Sequence, residues 1–111
     1  MCRALRVLCA APDEGRLLAL RRATTAASWE VVGGATSIDD LARQVVDWRP
    51  DVVVVDAAFG DGAVPAIRSA RPTAKIVAVG SLAGADAEAV ELDEIRPAIV
   101  GLPRPGGPVR A

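Results

Sequence analysis

Residues 47–62 read "DWRPDVVVVDAAFGDG", and the four consecutive valines within this stretch decide the fold. A strand wet on one face alternates polar and apolar residues. A continuous β-branched run instead marks a strand buried on both faces, which requires helices on both sides of its sheet. Pro50 separates the run from whatever helix precedes it, because proline cannot continue a helix and disfavours helical backbone just before itself. Asp56 ends the run, and a bend containing Gly60 and Gly62 follows. The stretch is therefore a buried parallel strand with a carboxylate at its carboxyl end.

The flanking sequence supplies the required partners. "RVLCAA" (residues 6–11) reads as a first strand ended by Pro12, and residues 13–28 as a helix, with Asp13 and Glu14 favourable at its positive N-terminal end. "WEVVGGA" (residues 29–35) is a second strand, broken by Gly33 and Gly34. Ser37 caps the next helix, with Asp40 three residues on as in a capping box. Ile38, Leu41, Val45 and Trp48 recur at helical spacing and define its buried face. "AVPAIRSAR" (residues 63–71) is a third helix that tolerates Pro65 in its first turn, and "KIVAVGS" (residues 75–81) a fourth strand. "GADAEAVELDEI" (residues 84–95) reads as a weak, acidic fourth helix and "PAIVGLP" (residues 97–103) as the fifth strand.

Alternation of this kind predicts an α/β fold: a doubly wound, five-stranded parallel sheet with right-handed crossovers. One domain spans residues 1–105, and residues 106–111 form a short flexible tail without the final helix such a fold would carry. In this architecture ligands collect at the carboxyl ends of the strands.

Composition excludes several functions. The 111 residues are 51 % apolar and 24 % charged with net charge −1, so a core can form, built from aliphatic side chains because only Trp29, Trp48 and Phe59 are aromatic. The arginines are scattered, which leaves no electrostatic footprint for nucleic acid. The absence of histidine removes His-based triads, general bases and metal ligands. Cys2 and Cys9 are too few for a zinc site, and Cys9 sits in an apolar run as a small hydrophobe. No apolar stretch reaches the ~18–20 residues of a membrane span. "MCRALRVLCAAP" reads poorly as a signal peptide, so the cytoplasm is the expected location.

The polar residues expected at strand carboxyl ends are Asp13 with Glu14, Asp56, Ser81 and Arg104. Carboxylates from neighbouring strands can hold a hard cation such as Mg²⁺. A carboxylate can also attack phosphorus to give an aspartyl phosphate, with a hydroxyl and a cation binding the phosphoryl oxygens. Helix capping alone also explains Asp13, and Ser81 also reads as a plain strand end.

"WEVVGGATSIDDLARQVVDWRPDVVVVD" resembles the receiver domain of bacterial two-component response regulators, most closely the subfamily whose full-length members carry a LuxR-type DNA-binding helix-turn-helix. The resemblance spans residues 6–105 and implies a flavodoxin-like sheet of strand order 2-1-3-4-5. "RPDVVVVD" resembles the strand ending in the phosphoacceptor, which places that role on Asp56. "APDE" resembles the acidic turn that holds a metal, here Asp13 with Glu14 and Asp56; "KIVAVGS" resembles the strand ending in the switch hydroxyl, here Ser81; "LPRP" puts Arg104 at the lysine position. The departures are as specific. Pro12 replaces the first of two adjacent acids, Arg104 replaces lysine, Gly101 replaces the switch aromatic, the loop "AAFGDG" is short, and the last helix is missing or truncated. A planar guanidinium and a flexible ammonium reach a phosphoryl group differently.

The resemblance implies a non-enzymatic signalling module that binds a protein partner, a histidine kinase or a downstream regulator, with phosphorylation at Asp56 impaired and Mg²⁺ held weakly. A Mg²⁺-dependent phosphoreceiver switched by a histidine kinase is the alternative. A small α/β enzyme or nucleotide-binding domain stands third, since neither a GxGxxG after the first strand nor a P-loop is present. A missing last helix would bare one face of strands one and five, and the expected cover is a second copy or a protein partner docked on the strand-five side.

Overall fold

The valine run forms the middle of the sheet, as its pattern requires. The structure, a computed structural model, describes residues 5–25, 29–60 and 62–101. Five strands, β1 (Leu5–Ala10), β2 (Trp29–Ala35), β3 (Val52–Asp56), β4 (Lys75–Val79) and β5 (Ala87–Ala89), pair in parallel in the order β2-β1-β3-β4-β5. Every residue of β3 is buried. Val53 and Val55 point to one face with Leu8, Ile76 and Ala78, beneath helices α2 (Ile38–Trp48) and α3 (Ala63–Ala70). Val52 and Val54 point to the other with Val7, Cys9 and Val77, beneath α1 (Glu14–Ala23) and α4 (Ile95–Val100). Each fully buried valine contributes roughly 1.5–3 kcal/mol, so this strand anchors both halves of the core.

The helices form where their caps allow. Asp13 caps α1 by accepting from the Arg16 N–H at 2.9 Å, and Ser37 caps α2 by accepting from the Asp40 N–H at 3.2 Å. The buried face of α2 is narrower than its spacing suggests: Leu41, Gln44 and Val45 are buried, while Ile38 and Trp48 are 37 % and 45 % exposed. These two are the first and last residues of α2, one turn beyond the part that lies on the sheet.

The Gly33–Gly34 pair does not break β2. The strand runs through it with a register shift opposite Val7 and Leu8. Both helical layers close over these glycines: a Cβ on Gly34 would stand 2.9 Å from a Leu17 methyl of α1, and one on Gly33 2.3 Å from the Gln44 side-chain oxygen of α2. Gln44 Nε2 donates to the Gly34 carbonyl at 2.7 Å, which binds α2 to this strand.

The second half departs from the sequence expectation in a definite way. The fourth helix expected over residues 84–95 does not form: β5 lies there, followed by a 3-10 turn at Leu92–Glu94, and α4, starting at Ile95, takes most of the residues expected to form the fifth strand. Only residues 80–86 connect β4 to β5, shorter than the dozen or more that a helical crossover takes. Leu82 is buried against the α2–α3 face, and Ala85 packs beside it, so the connection itself covers that part of the sheet. Arg68 of α3 fastens it, donating to the carbonyls of Ala74 and Gly84 and to the Asp86 carboxylate, each at 3.0 Å. The final helix is present but truncated to six residues, and the helix missing from the pattern is the one between β4 and β5. Ile95 and Ile99, one turn apart, bury α4 against the face expected to be bare, and Arg96 stacks 6.0 Å from the centre of the Trp29 ring. Among the described residues no helix is long and apolar enough to cross a membrane.

Candidate functional site

Asp56 is the last residue of β3 and is only 4 % exposed. A carboxylate buried to this degree is costly unless its oxygens are bonded and its charge balanced. Oδ1 accepts from the Ala58 N–H at 2.9 Å, capping the 3-10 turn Ala57–Phe59. Oδ2 accepts from Arg16 Nε at 2.7 Å, a charge-assisted bond to a half-exposed guanidinium.

Local structure explains why Arg16 is there. Asp13 caps α1 just beyond the carboxyl end of β1, which is the sheet neighbour of β3. Arg16 is the third residue of α1, so its stem starts at the edge where β3 ends. The cap and the ion pair thus share one residue: the Arg16 backbone N–H goes to Asp13 and its side chain to Asp56.

The remaining expected site residues are placed as follows. Asp13 is exposed, with Oδ1 engaged as the helix cap. Glu14 is the exposed first residue of α1. Ser81 lies two residues past β4, on the same carboxyl edge, since Val79 pairs with Asp56 in the sheet register. Its hydroxyl donates to Glu88 Oε2 at 3.2 Å. Gly80, just before it, lets the turns after β3 and β4 lie close together: it has φ +105°, and a Cβ there would stand 2.7 Å from the Ala57 Cβ. Arg104 and the tail 106–111 lie outside the described residues.

The structure therefore brings Asp56 together with Arg16, a residue that sequence reasoning missed. A usable signal existed, because a buried strand-end acid needs a cation, and the N-terminal turn of the adjoining helix is the nearest place to supply one. Arg16 also borders a shallow groove of about 410 Å³ with Val79, Val90, Glu91, Leu92 and Asp93. As arranged, these side chains do not fit a divalent ion. Asp56 Oδ2 carries Arg16, Asp13 carries a helix end, and no group of three or more His, Cys, Asp or Glu gathers among the described residues. Cys9 takes no part: it lies in the core beside the Thr24 hydroxyl, and burial pushes its thiol up to about 11 despite that contact.

No protein-family model matches the chain, and no curated protein sequence matches it. Solved structures do. The response regulator domain of Thermotoga maritima CheB superposes with a TM-score of 0.69 at 16 % identity, over 88 % of this chain and 92 % of that one. The signal receiver domain of NarL from Mycobacterium tuberculosis gives 0.68 at 20 %, over 89 % and 92 %. The isolated receiver domain of RcsB from Salmonella enterica serovar Typhimurium, in the presence of the phosphomimetic BeF3⁻, gives 0.60 at 17 %, over 68 % and 61 %. With its strand order, its buried strand-end aspartate and these superpositions, the chain has the receiver fold of response regulators, closed with one helix fewer between β4 and β5.

Proposed function

We propose that this chain is a receiver-type signalling module that acts by binding a protein partner, with phosphoryl transfer to Asp56 impaired, and that it is not an enzyme. The observation that carries this reading is the engagement of both Asp56 oxygens, Oδ2 by Arg16 and Oδ1 by the Ala58 N–H. A carboxylate acts on phosphorus through a lone pair aimed outward. Attack through Oδ2 would first have to displace a short, charge-assisted bond. The partner is a kinase or a downstream regulator in the cytoplasm, and the strand-five side, where Val90 and Val100 are exposed, is the surface offered to it. Incubation with acetyl phosphate and Mg²⁺ followed by intact-mass measurement tests the reading. The expected result is no adduct on the native chain under conditions that label a working receiver. A stoichiometric adduct that Asp56→Asn abolishes would instead establish the Mg²⁺-dependent phosphoreceiver.

A further inference from the structure

A buried carboxylate at a strand end draws a cation, and the identity of that cation decides what the site responds to. A divalent ion arrives from solution, so its occupancy follows concentration and chelation, and it needs several oxygen ligands. Here the second acid that would help hold it is Pro12, and Asp13 Oδ1 is spent on the α1 N-terminus. The Arg16 guanidinium lies 2.7 Å from Oδ2, carried on a helix that the buried Leu17 and Leu20 fix to the sheet. We propose that Arg16 is the resident counter-cation of Asp56, standing where a divalent ion would have to bind and making the site indifferent to metal. This deepens the function proposed above and rests on its placement of Asp56 at the receiver site.

Two features make the arrangement self-consistent. The guanidinium is a planar, weakly hydrated cation whose N–H donors form a rigid fork, which suits a buried carboxylate. Arg16 is also held at two points, its N–H on Asp13 and its Nε on Asp56, so the helix cap orients the residue that carries the charge.

The test is a Mn²⁺ titration of the whole chain followed by paramagnetic broadening of the Asp56, Ala57 and Ala58 amide signals. Native chain, Arg16→Ala, Arg16→Gln and the double variant R16A/D56N are compared, each checked as folded from its amide spectrum. The native chain is expected to show no broadening centred on Ala58. R16A and R16Q are expected to gain it with apparent affinity at least about tenfold higher, because removing a cation at contact distance removes its repulsion of the ion; R16A/D56N should lose it again. Equal Mn²⁺ affinity at Asp56 in the native chain and both single variants would overturn the proposal, as would no gain in either. Should R16A and R16Q fold poorly, the urea midpoint decides: a counter-cation role requires Asp56→Asn to restore most of what Arg16→Ala loses, and no restoration refutes it. The titration contains no phosphoryl donor. An acetyl phosphate adduct on the native chain would therefore sink the impaired-transfer reading, whereas the Mn²⁺ comparison sinks or supports the counter-cation by itself.

Discussion

Asp86→Ala should destabilise the fold by opening the connection that replaces a helix. Asp86 meets Ile76 twice: its N–H donates to the Ile76 carbonyl at 2.8 Å, and its Oδ2 accepts from the Ile76 N–H at 2.7 Å. The same oxygen accepts from Arg68 Nη2 at 3.0 Å. Alanine keeps the first bond and loses the other two. A hydrogen bond to a charged group contributes about 1.5–3 kcal/mol net, and the loss leaves the N–H of a fully buried residue without its partner. The Arg68 pair is partly exposed, and surface ion pairs of that kind add only about 0.2–1 kcal/mol. The expected total is about 2–3 kcal/mol, or a melting temperature lower by roughly 10 °C for a domain of this size. Asp86→Asn retains an oxygen for the Ile76 N–H and should lose only about 1 kcal/mol. Urea unfolding followed by circular dichroism measures both, with the slope unchanged, and hydrogen exchange should show the Ile76 amide opening faster in Asp86→Ala. A loss under about 0.5 kcal/mol for alanine, within the range of an ordinary surface substitution, would refute this account of how the connection is held.

Gly80→Ala places a side chain at φ +105° and 2.7 Å from the Ala57 Cβ. It should cost on the order of 1–3 kcal/mol in urea unfolding, and a neutral result would mean that the turns after β3 and β4 can separate freely. Cys9 predicts an alkaline limb. Its thiol rises from 9.0 to about 11 on folding, so above pH 9 the unfolded chain gives up a proton that the folded chain keeps. The contribution is complete below pH 9 and is lost as pH rises toward 11, at about 1.4 kcal/mol per pH unit. Urea midpoints on either side of pH 9 should fall more steeply for the native chain than for Cys9→Ala, and parallel slopes would contradict the burial argument.

What the sequence disclosed depends on how local each signal is. The valine run, the Ser37 cap and the Asp13 cap are local, and each appears in the structure where it was read. The end of the chain was misassigned because a parallel pair was expected to need a helix between its strands. That expectation turned residues 84–95 into a helix and pushed the fifth strand onto the next apolar run. A local signal pointed the other way. Glu91 and Glu94 form a reciprocal cap, in which the Glu94 carboxylate accepts from the Glu91 N–H at 3.1 Å. Ile95 and Ile99 follow at the spacing of one helical face. The Gly33–Gly34 pair reads as a strand break by a local rule, because glycine weakens a strand interior. Its purpose, letting α1 and α2 approach one strand from opposite sides, is tertiary and leaves no mark in a single sequence.

The site was half legible for the same physical reason. Position along a strand locates Asp56, Ser81 and Asp13 on one edge, yet says nothing of which partner each has taken. The structure gives each a partner within the fold: Arg16 for Asp56, Glu88 for Ser81, the α1 N-terminus for Asp13. The connection carrying Ser81 is pinned at both ends, by the Gly80 N–H on the Ala89 carbonyl at 2.8 Å and by the Arg68–Asp86 fastening, with Leu82 buried between them. A conformational switch needs two arrangements close in free energy, and a ligand shifts them only by its differential affinity. Seven residues held at both ends and anchored in the core offer little room for a second arrangement. The Arg16–Asp56 pair and the short connection thus reinforce each other. One balances the charge that would start a switch, and the other stiffens the segment that would carry it, as the proposed partner-binding role would require.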